Sequence, residues 1–269
     1  MHFGATLRML RIDAGIGLRE LAARIGVSSA YLSRVEHGRD AAPTPDRLAA
    51  IADALQMPRA LLFDLAQQTS SAASGYLERV PEAGMLLLEI ARRNLGRSEI
   101  SRIKAFIDSE FPNDDGRAKS VRLLDLLAAP QVVLHVACDD VDDVIAIATS
   151  RLPASTPTRR RDLAVRMSER EREAPSLLGS GFVAPHAIVA GIRPAAALLV
   201  LDRPLAIDTP DAKPVNVAVA LVSPTAGARH LQLLARVALL ASRGAGEELA
   251  HAKSPEQALA TIERIESMW

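Results

Sequence analysis

The spacing of apolar residues changes along the chain, from helical repeats in the first part to unbroken runs in the last. Leu7, Leu10 and Arg11 begin a short helix ending near Gly15. A second helix follows from Leu18 to Ile25 and stops at Gly26. Ser28 then caps a third, from Ser29 to His37, closed by Gly38. Leu18, Leu21, Ala22 and Ile25 share one face, as do Leu32, Val35 and Glu36 on the next helix. Further helices are predicted from Asp46 to Leu55 and from Pro58 to Leu65. The small polar stretch Gln67 to Gly75 reads as a flexible link. After it, a helix from Pro81 to Gly96 and one capped by Ser98, with Ile100, Ile103 and Ile107 in line, form a helical hairpin. Phe111-Pro112 breaks that hairpin, and Asn113-Asp114-Asp115-Gly116 marks a turn. Such a hairpin must bury its apolar face on a neighbour, and a second copy of the chain is the expected one.

From about residue 120 the apolar residues run together. Gln131 to Ala137, Phe182 to Ala184, Ala195 to Leu201 and Val215 to Val222 read as strands covered on both faces. Between them lie a helix opened by Asp139, Asp140, Asp142 and Asp143, and another from Thr158 to Glu173. His230 to Ala241 is amphipathic, with Leu231, Leu234, Ala235 and Ala238 inward, and Ser254, Pro255 and Gln257 open a last helix. The expected architecture is multidomain. Residues 1–66 form an all-α helix-turn-helix domain, and 67–119 a helical connector that can serve dimerisation. Residues 120–269 form an α/β layered domain with a mixed, mainly parallel sheet.

Composition narrows this picture modestly. Basic and acidic residues balance at 32 each, so any nucleic-acid contact must come from a local patch. Cys138 is alone, which excludes an intramolecular disulfide or a thiolate metal site. The chain opens without a signal peptide and has no apolar run approaching about 18 residues, so a cytoplasmic protein without a membrane partner is expected.

The linker Gly26-Val27-Ser28 joins two compact helices in helix-turn-helix fashion. The string LRELAARIGVSSAYLSRVEHG resembles the xenobiotic-response-element family, which includes Cro and phage repressors. That resemblance implies binding to a double-stranded DNA operator, with the third helix in the major groove. Ser28, Ser29, Ala30, Ser33, Arg34 and Arg39 are then the candidate DNA-binding residues. Arg34 suits a guanine edge and Arg39 a backbone phosphate. Small serines and an alanine read few bases, so a homodimer is expected for useful specificity. Gly17 and Leu18 stand where many members carry a threonine cap and a glutamine.

Within GSGFVAPHAIVAGI, Pro185 forces Ala184 to be extended and delivers His186 at a strand end. Gly179 and Gly181 offer backbone that an anion can approach. Arg170-Glu171 lies upstream, Ser176 opens the loop, and His230-Leu231 followed by Leu234-Ala235 comes later. In this order the segment resembles the phosphotransferase-system enzyme IIA domains of the fructose, mannitol and nitrogen-related type. The resemblance implies that His186 accepts a phosphoryl group from a phosphohistidine carrier protein, with Arg170 and His230 as active-site neighbours. A neutral imidazole suits such transfer, a guanidinium fork can pair two phosphate oxygens, and Ser176 could supply a hydroxyl.

No cofactor is implied. His2, His37, His135 and His251 have no neighbouring acidic constellation in sequence, which argues against a metal site. The combined reading is a transcriptional regulator that senses phosphotransferase status. Its enzymatic role would be at most that of a IIA-type phosphohistidine phosphotransferase. The alternatives are a phosphocarrier serving a sugar transporter, or a IIA-like module that docks proteins without chemistry.

Overall fold

A computed structural model describes residues 3–67, 69–111, 121–153, 157–209 and 211–267. His2, Pro112 and the 113–116 turn lie outside them. The first segment is built of α1 (Phe3–Asp13), α2 (Leu18–Arg24), α3 (Ser29–Glu36), α4 (Pro45–Ala54) and α5 (Arg59–Leu65). The Ser28 hydroxyl accepts from the Tyr31 N–H at 3.1 Å and so starts α3, whereas Gly17 starts α2 without a side-chain cap. Leu7, Leu10, Leu21, Leu32, Leu48, Ile51 and Leu62 are fully buried and hold the bundle together. Glu36, on the inner face with Leu32 and Val35, is buried because Arg11 meets it. Arg11 Nε and Nη2 donate to its two oxygens at 2.6 and 2.8 Å. Removing either partner would strand a buried charge.

Residues 67–120 form a separate compact unit. It contains α6 (Thr69–Arg79), α7 (Pro81–Arg92) and α8 (Arg97–Glu110). The stretch expected to be a flexible link is therefore largely helical, consistent with alanine's high helix propensity ahead of Tyr76 and Leu77. Gly96, in place of Ser98, is the N-cap of α8. No residue of α7 is buried, and Met85 and Leu88 are 68% and 65% exposed.

The other compact unit joins residues 1–66 to residues 121–269. Its sheet is made of β1 (Val132–Val136), β2 (Leu177–Gly179), β3 (Phe182–Val183), β4 (His186–Ile188), β5 (Ala195–Leu205) and β6 (Val215–Ser223). The order is β1-β5-β6-β3-β2, with β4 also on β6. Pairings β1·β5, β3·β6 and β4·β6 are parallel, while β5·β6 and β2·β3 are antiparallel. The mixed, mainly parallel sheet expected from the apolar runs is thus present. Alternate residues of β5 divide the core, as strand geometry requires. Ala197, Leu199 and Leu201 pack with α9 (Val141–Arg151) and α10 (Pro157–Glu173) on one face. Ala196, Leu198 and Val200 pack with α11 (Ala228–Ser242), α12 (Ala245–Ala250) and α13 (Pro255–Glu266) on the other.

Sequence periodicity misses how deeply α11 is buried. Every residue from His230 to Ala241 is buried, including Gln232 and Arg236. The sheet covers one side, and α1 and α5 of the first segment pack against the same helix. A helix apolar on all sides needs cover on all sides. The helical bundle therefore rests directly on the α/β layers.

Gly4 shows how tightly α1 packs on α3: a Cβ there would lie 2.0 Å from the Val35 carbonyl oxygen. Gly4→Ala is expected to push the helices apart and cost about 1–3 kcal/mol, read as a lower urea midpoint at unchanged slope.

Candidate functional site

His186 does not end a strand; it begins one. β3 and β4 run along the same edge of β6 with Pro185 between them, and the Pro185 carbonyl still accepts from Leu221 N–H at 3.0 Å. The register sets His186 against Leu221, where it is 1% exposed. Its Nδ1 is tied to the Ala184 carbonyl at 2.7 Å, which leaves Nε2 as the atom turned into the site.

What faces Nε2 comes from the far end of the chain. Asp13, the last residue of α1, places Oδ1 3.0 Å from His186 Nε2. Arg170, near the C-terminus of α10, grips the same carboxylate through Nε at 3.1 Å and Nη2 at 2.8 Å. Arg170 Nη1 donates to the Ala174 carbonyl at 2.7 Å, which fixes the guanidinium plane. Both ring nitrogens of His186 thus face oxygens that only accept, a carbonyl at Nδ1 and a carboxylate at Nε2. Burial alone would raise the Asp13 pKa. Hydrogen bonds and charge from His186 and Arg170 outweigh that effect and hold it at about 2.

His230 completes the site from the first turn of α11. Its ring centroid lies 5.4 Å from that of His186, and its Nδ1 is 2.9 Å from the Ser223 hydroxyl at the end of β6. Its Nε2 is buried and has no hydrogen-bond partner. In the tautomer that takes the Ser223 proton on Nδ1, Nε2–H is an idle donor inside the site. Burial first, then repulsion from charged His186, depresses the His230 pKa to about 4.

Ser176 and the loop glycines are placed differently from expectation. The Ser176 hydroxyl donates to Glu171 at 2.6 Å, and its backbone N–H donates to the same carboxylate at 2.9 Å. This clamp holds the turn between α10 and β2, so the hydroxyl proton goes to Glu171. Gly179 and Gly181, both at positive φ, turn the chain between β2 and β3. The Asp211 carboxylate lies against Gly179 and accepts from Ser180 N–H at 2.6 Å, so an acidic side chain occupies the approach that an anion would need.

Asp13, His186 and His230 each bring a ligand atom within 4.8 Å of the others. The carboxylate of this group stands 173 positions from His186, so no local spacing in the sequence signals it. The set still suits an anion better than a cation, because the Arg170 guanidinium already brings positive charge to this carboxylate.

On the first segment, Ala30, Arg34 and Arg39 are exposed, and Ser29 and Ser33 are partly so. Arg34 Nε contacts both Asp40 oxygens, at 3.0 and 3.1 Å. An exposed pair of this kind contributes little and is readily exchanged for another acceptor.

Residues 125–265 match the family model for the phosphoenolpyruvate-dependent sugar phosphotransferase system, EIIA 2. Residues 2–65 match that of a helix-turn-helix domain. Over 82 residues the chain is 37% identical to the HTH-type transcriptional repressor RghR of Bacillus subtilis, covering 30% of this chain and 54% of that protein. The chain therefore spans about half the length of the curated relatives it matches. Among solved structures, Nitrogen Regulatory Protein IIA-Ntr from Neisseria meningitidis is 25% identical. That match covers 52% of this chain and 98% of that one, at a TM-score of 0.48. IIA mannitol from Escherichia coli is 16% identical, covering 51% and 98% of the respective chains, at a TM-score of 0.43.

The buried neutral His230 has a consequence for stability. Between its ordinary pKa of 6.5 and its folded value of about 4, the unfolded chain binds a proton that the folded chain refuses. The stabilisation is complete above pH 6.5 and is lost as pH falls toward 4, by about 3 kcal/mol in all. Urea titrations at stepped pH are expected to show this slope in the parent protein and a flatter one in His230→Gln.

Proposed function

This chain belongs to the phosphoenolpyruvate-dependent sugar phosphotransferase system EIIA 2 family, and we propose that it is a DNA-binding transcriptional regulator whose IIA-like domain senses phosphotransferase status through phosphorylation of His186. One observation carries the reading. His186 Nε2, the Arg170 fork and the unpartnered Nε2 of His230 surround a spot that already holds an anionic oxygen pair, beneath a helix-turn-helix domain whose reading helix is exposed.

The transfer asks little of the protein beyond placement. A neutral His186, with Nδ1–H held by the Ala184 carbonyl, presents the Nε2 lone pair to the phosphorus of a phosphohistidine carrier. The Nε2–P bond forms as the carrier's N–P bond breaks, and the carrier nitrogen keeps the electron pair. Arg170 takes charge on two equatorial oxygens, and the His230 Nε2–H takes a third. Ser176 acts through Glu171, holding the turn that carries Ala174, the carbonyl that fixes Arg170.

Ser28 caps the reading helix, and Ser29, Ala30, Ser33 and Arg34 face base edges, with Arg39 on a phosphate. The exposed apolar residues of the connector, Met85 and Leu88 among them, support association with a second copy, which would pair two half-sites.

Mass spectrometry under alkaline conditions, after mixing with a phosphorylated carrier, is expected to find one phosphate on His186 and none on His186→Ala. Phosphate located elsewhere, or on neither protein, would remove the sensing role. Operator binding supplies the second test, using a DNA site selected by the chain from random sequence. Arg34→Ala is expected to lose about 1–3 kcal/mol and to relax preference at one base pair. Arg39→Ala is expected to weaken all sequences alike and lower the salt slope by about one.

A further inference from the structure

The last residue of a helix-turn-helix domain's first helix is an odd place for a buried carboxylate. A negative charge at a helix C-terminus opposes the macrodipole, and burial adds a desolvation penalty. Asp13 bears both costs at 3% side-chain exposure, and both of its ion-pair partners, Arg170 and His186, lie in the IIA-like domain. Its two oxygens meet a guanidinium fork and an imidazole nitrogen, the donors a phosphoryl group on His186 would use.

We propose that Asp13 is a built-in stand-in for the phosphoryl group, and that its carboxylate latches the helix-turn-helix domain onto the IIA-like site. Docking of Asp13 and phosphorylation of His186 then exclude one another. The inference rests on the reading of His186 as phosphoryl acceptor. Two effects enforce the exclusion. Asp13 Oδ1, 3.0 Å from Nε2, fills the space an incoming phosphorus must enter. The same contact keeps a proton on Nε2, so the ring has no lone pair with which to attack. Phosphorylation needs Asp13 to withdraw and the Nε2 proton to leave to solvent. Once the Nε2–P bond forms, two negative groups would compete for Arg170, and the carboxylate is excluded. Because α1 also lies on α11, withdrawal of Asp13 loosens the seat of the DNA-binding domain. The reading helix is exposed in the latched form, so the latch restrains how that helix is held without covering it.

Phosphoramidate is a suitable probe, because it transfers its phosphoryl group to histidine with ammonia leaving and needs no carrier. The full chain and its Asp13→Ala and Asp13→Asn variants are incubated with it, and sites are mapped by alkaline mass spectrometry. Exposed His251 serves as the internal standard. If the latch is open one time in ten or less, both variants gain phosphate on His186 at least about tenfold faster than the parent, with His251 unchanged. Equal rates in all three proteins overturn the latch while leaving His186 an acceptor. No phosphate on His186 in any of them overturns the acceptor reading and the latch with it. A measurement on the unmutated chain guards against variants that misfold. After phosphorylation, hydrogen exchange is expected to rise at least about tenfold in α1 and in the first turns of α11, while β5 and β6 keep their protection. Unchanged exchange in α1 overturns the latch.

Discussion

One carboxylate, held by a guanidinium and an imidazole, ties the two halves of the main unit together. Asp13 is buried with Arg170 and His186, and charges removed from water are tolerated only when matched. The α/β layers alone present a guanidinium, an imidazole and an unpartnered ring nitrogen at one spot, a site that lacks an anion. The helix-turn-helix domain supplies one from a helix end where a negative charge is locally unfavourable. Each half is thus incomplete in a way the other corrects.

The apolar and ionic parts of this contact have different roles. α11 is buried on every side, between the sheet and the helices α1 and α5. Apolar burial of that kind is strong and non-directional, and no change of charge turns it off. The Asp13 contact contributes less net energy, because the desolvation of three groups offsets much of their attraction. It is nonetheless the part of the interface that a charged modification can reach. In the reading proposed here, a switch acts on the ionic catch and loosens the apolar seat without dissolving it.

Much of the fold could be read from single stretches. Local rules located the Ser28 cap, the Gly26 and Gly38 stops, the long apolar strands and the Ser254-Pro255-Gln257 helix start, because each depends on residues a few positions apart. The stretch from Gln67 to Gly75 has the small polar residues of a linker, yet its alanines favour helix, and α8 starts from Gly96 instead of Ser98. The site was half legible. His186, Arg170 and His230 carry recognisable neighbours in sequence, and the structure brings all three together. Asp13 has no such neighbours, and only its awkward place at the end of α1 hinted at a distant partner. The run from His230 to Ala241 held a second hint, since its leucines and valine fall on more than one face. Such a helix needs cover on more than one side, and the sheet and the helices around α11 give it.

A carboxylate copies a phosphoryl group only in part, and the shortfall is visible at His230. Two oxygens satisfy Arg170 and His186, while the buried Nε2 of His230 remains without a partner. A tetrahedral group on His186 would bring three oxygens and more charge to the same donors. An apolar plug would have left every donor empty, and a perfect anion would have closed the site for good. In the reading proposed here, the unfilled donor gives phosphate an interaction that Asp13 cannot match, so the stand-in holds the site yet can be displaced from it.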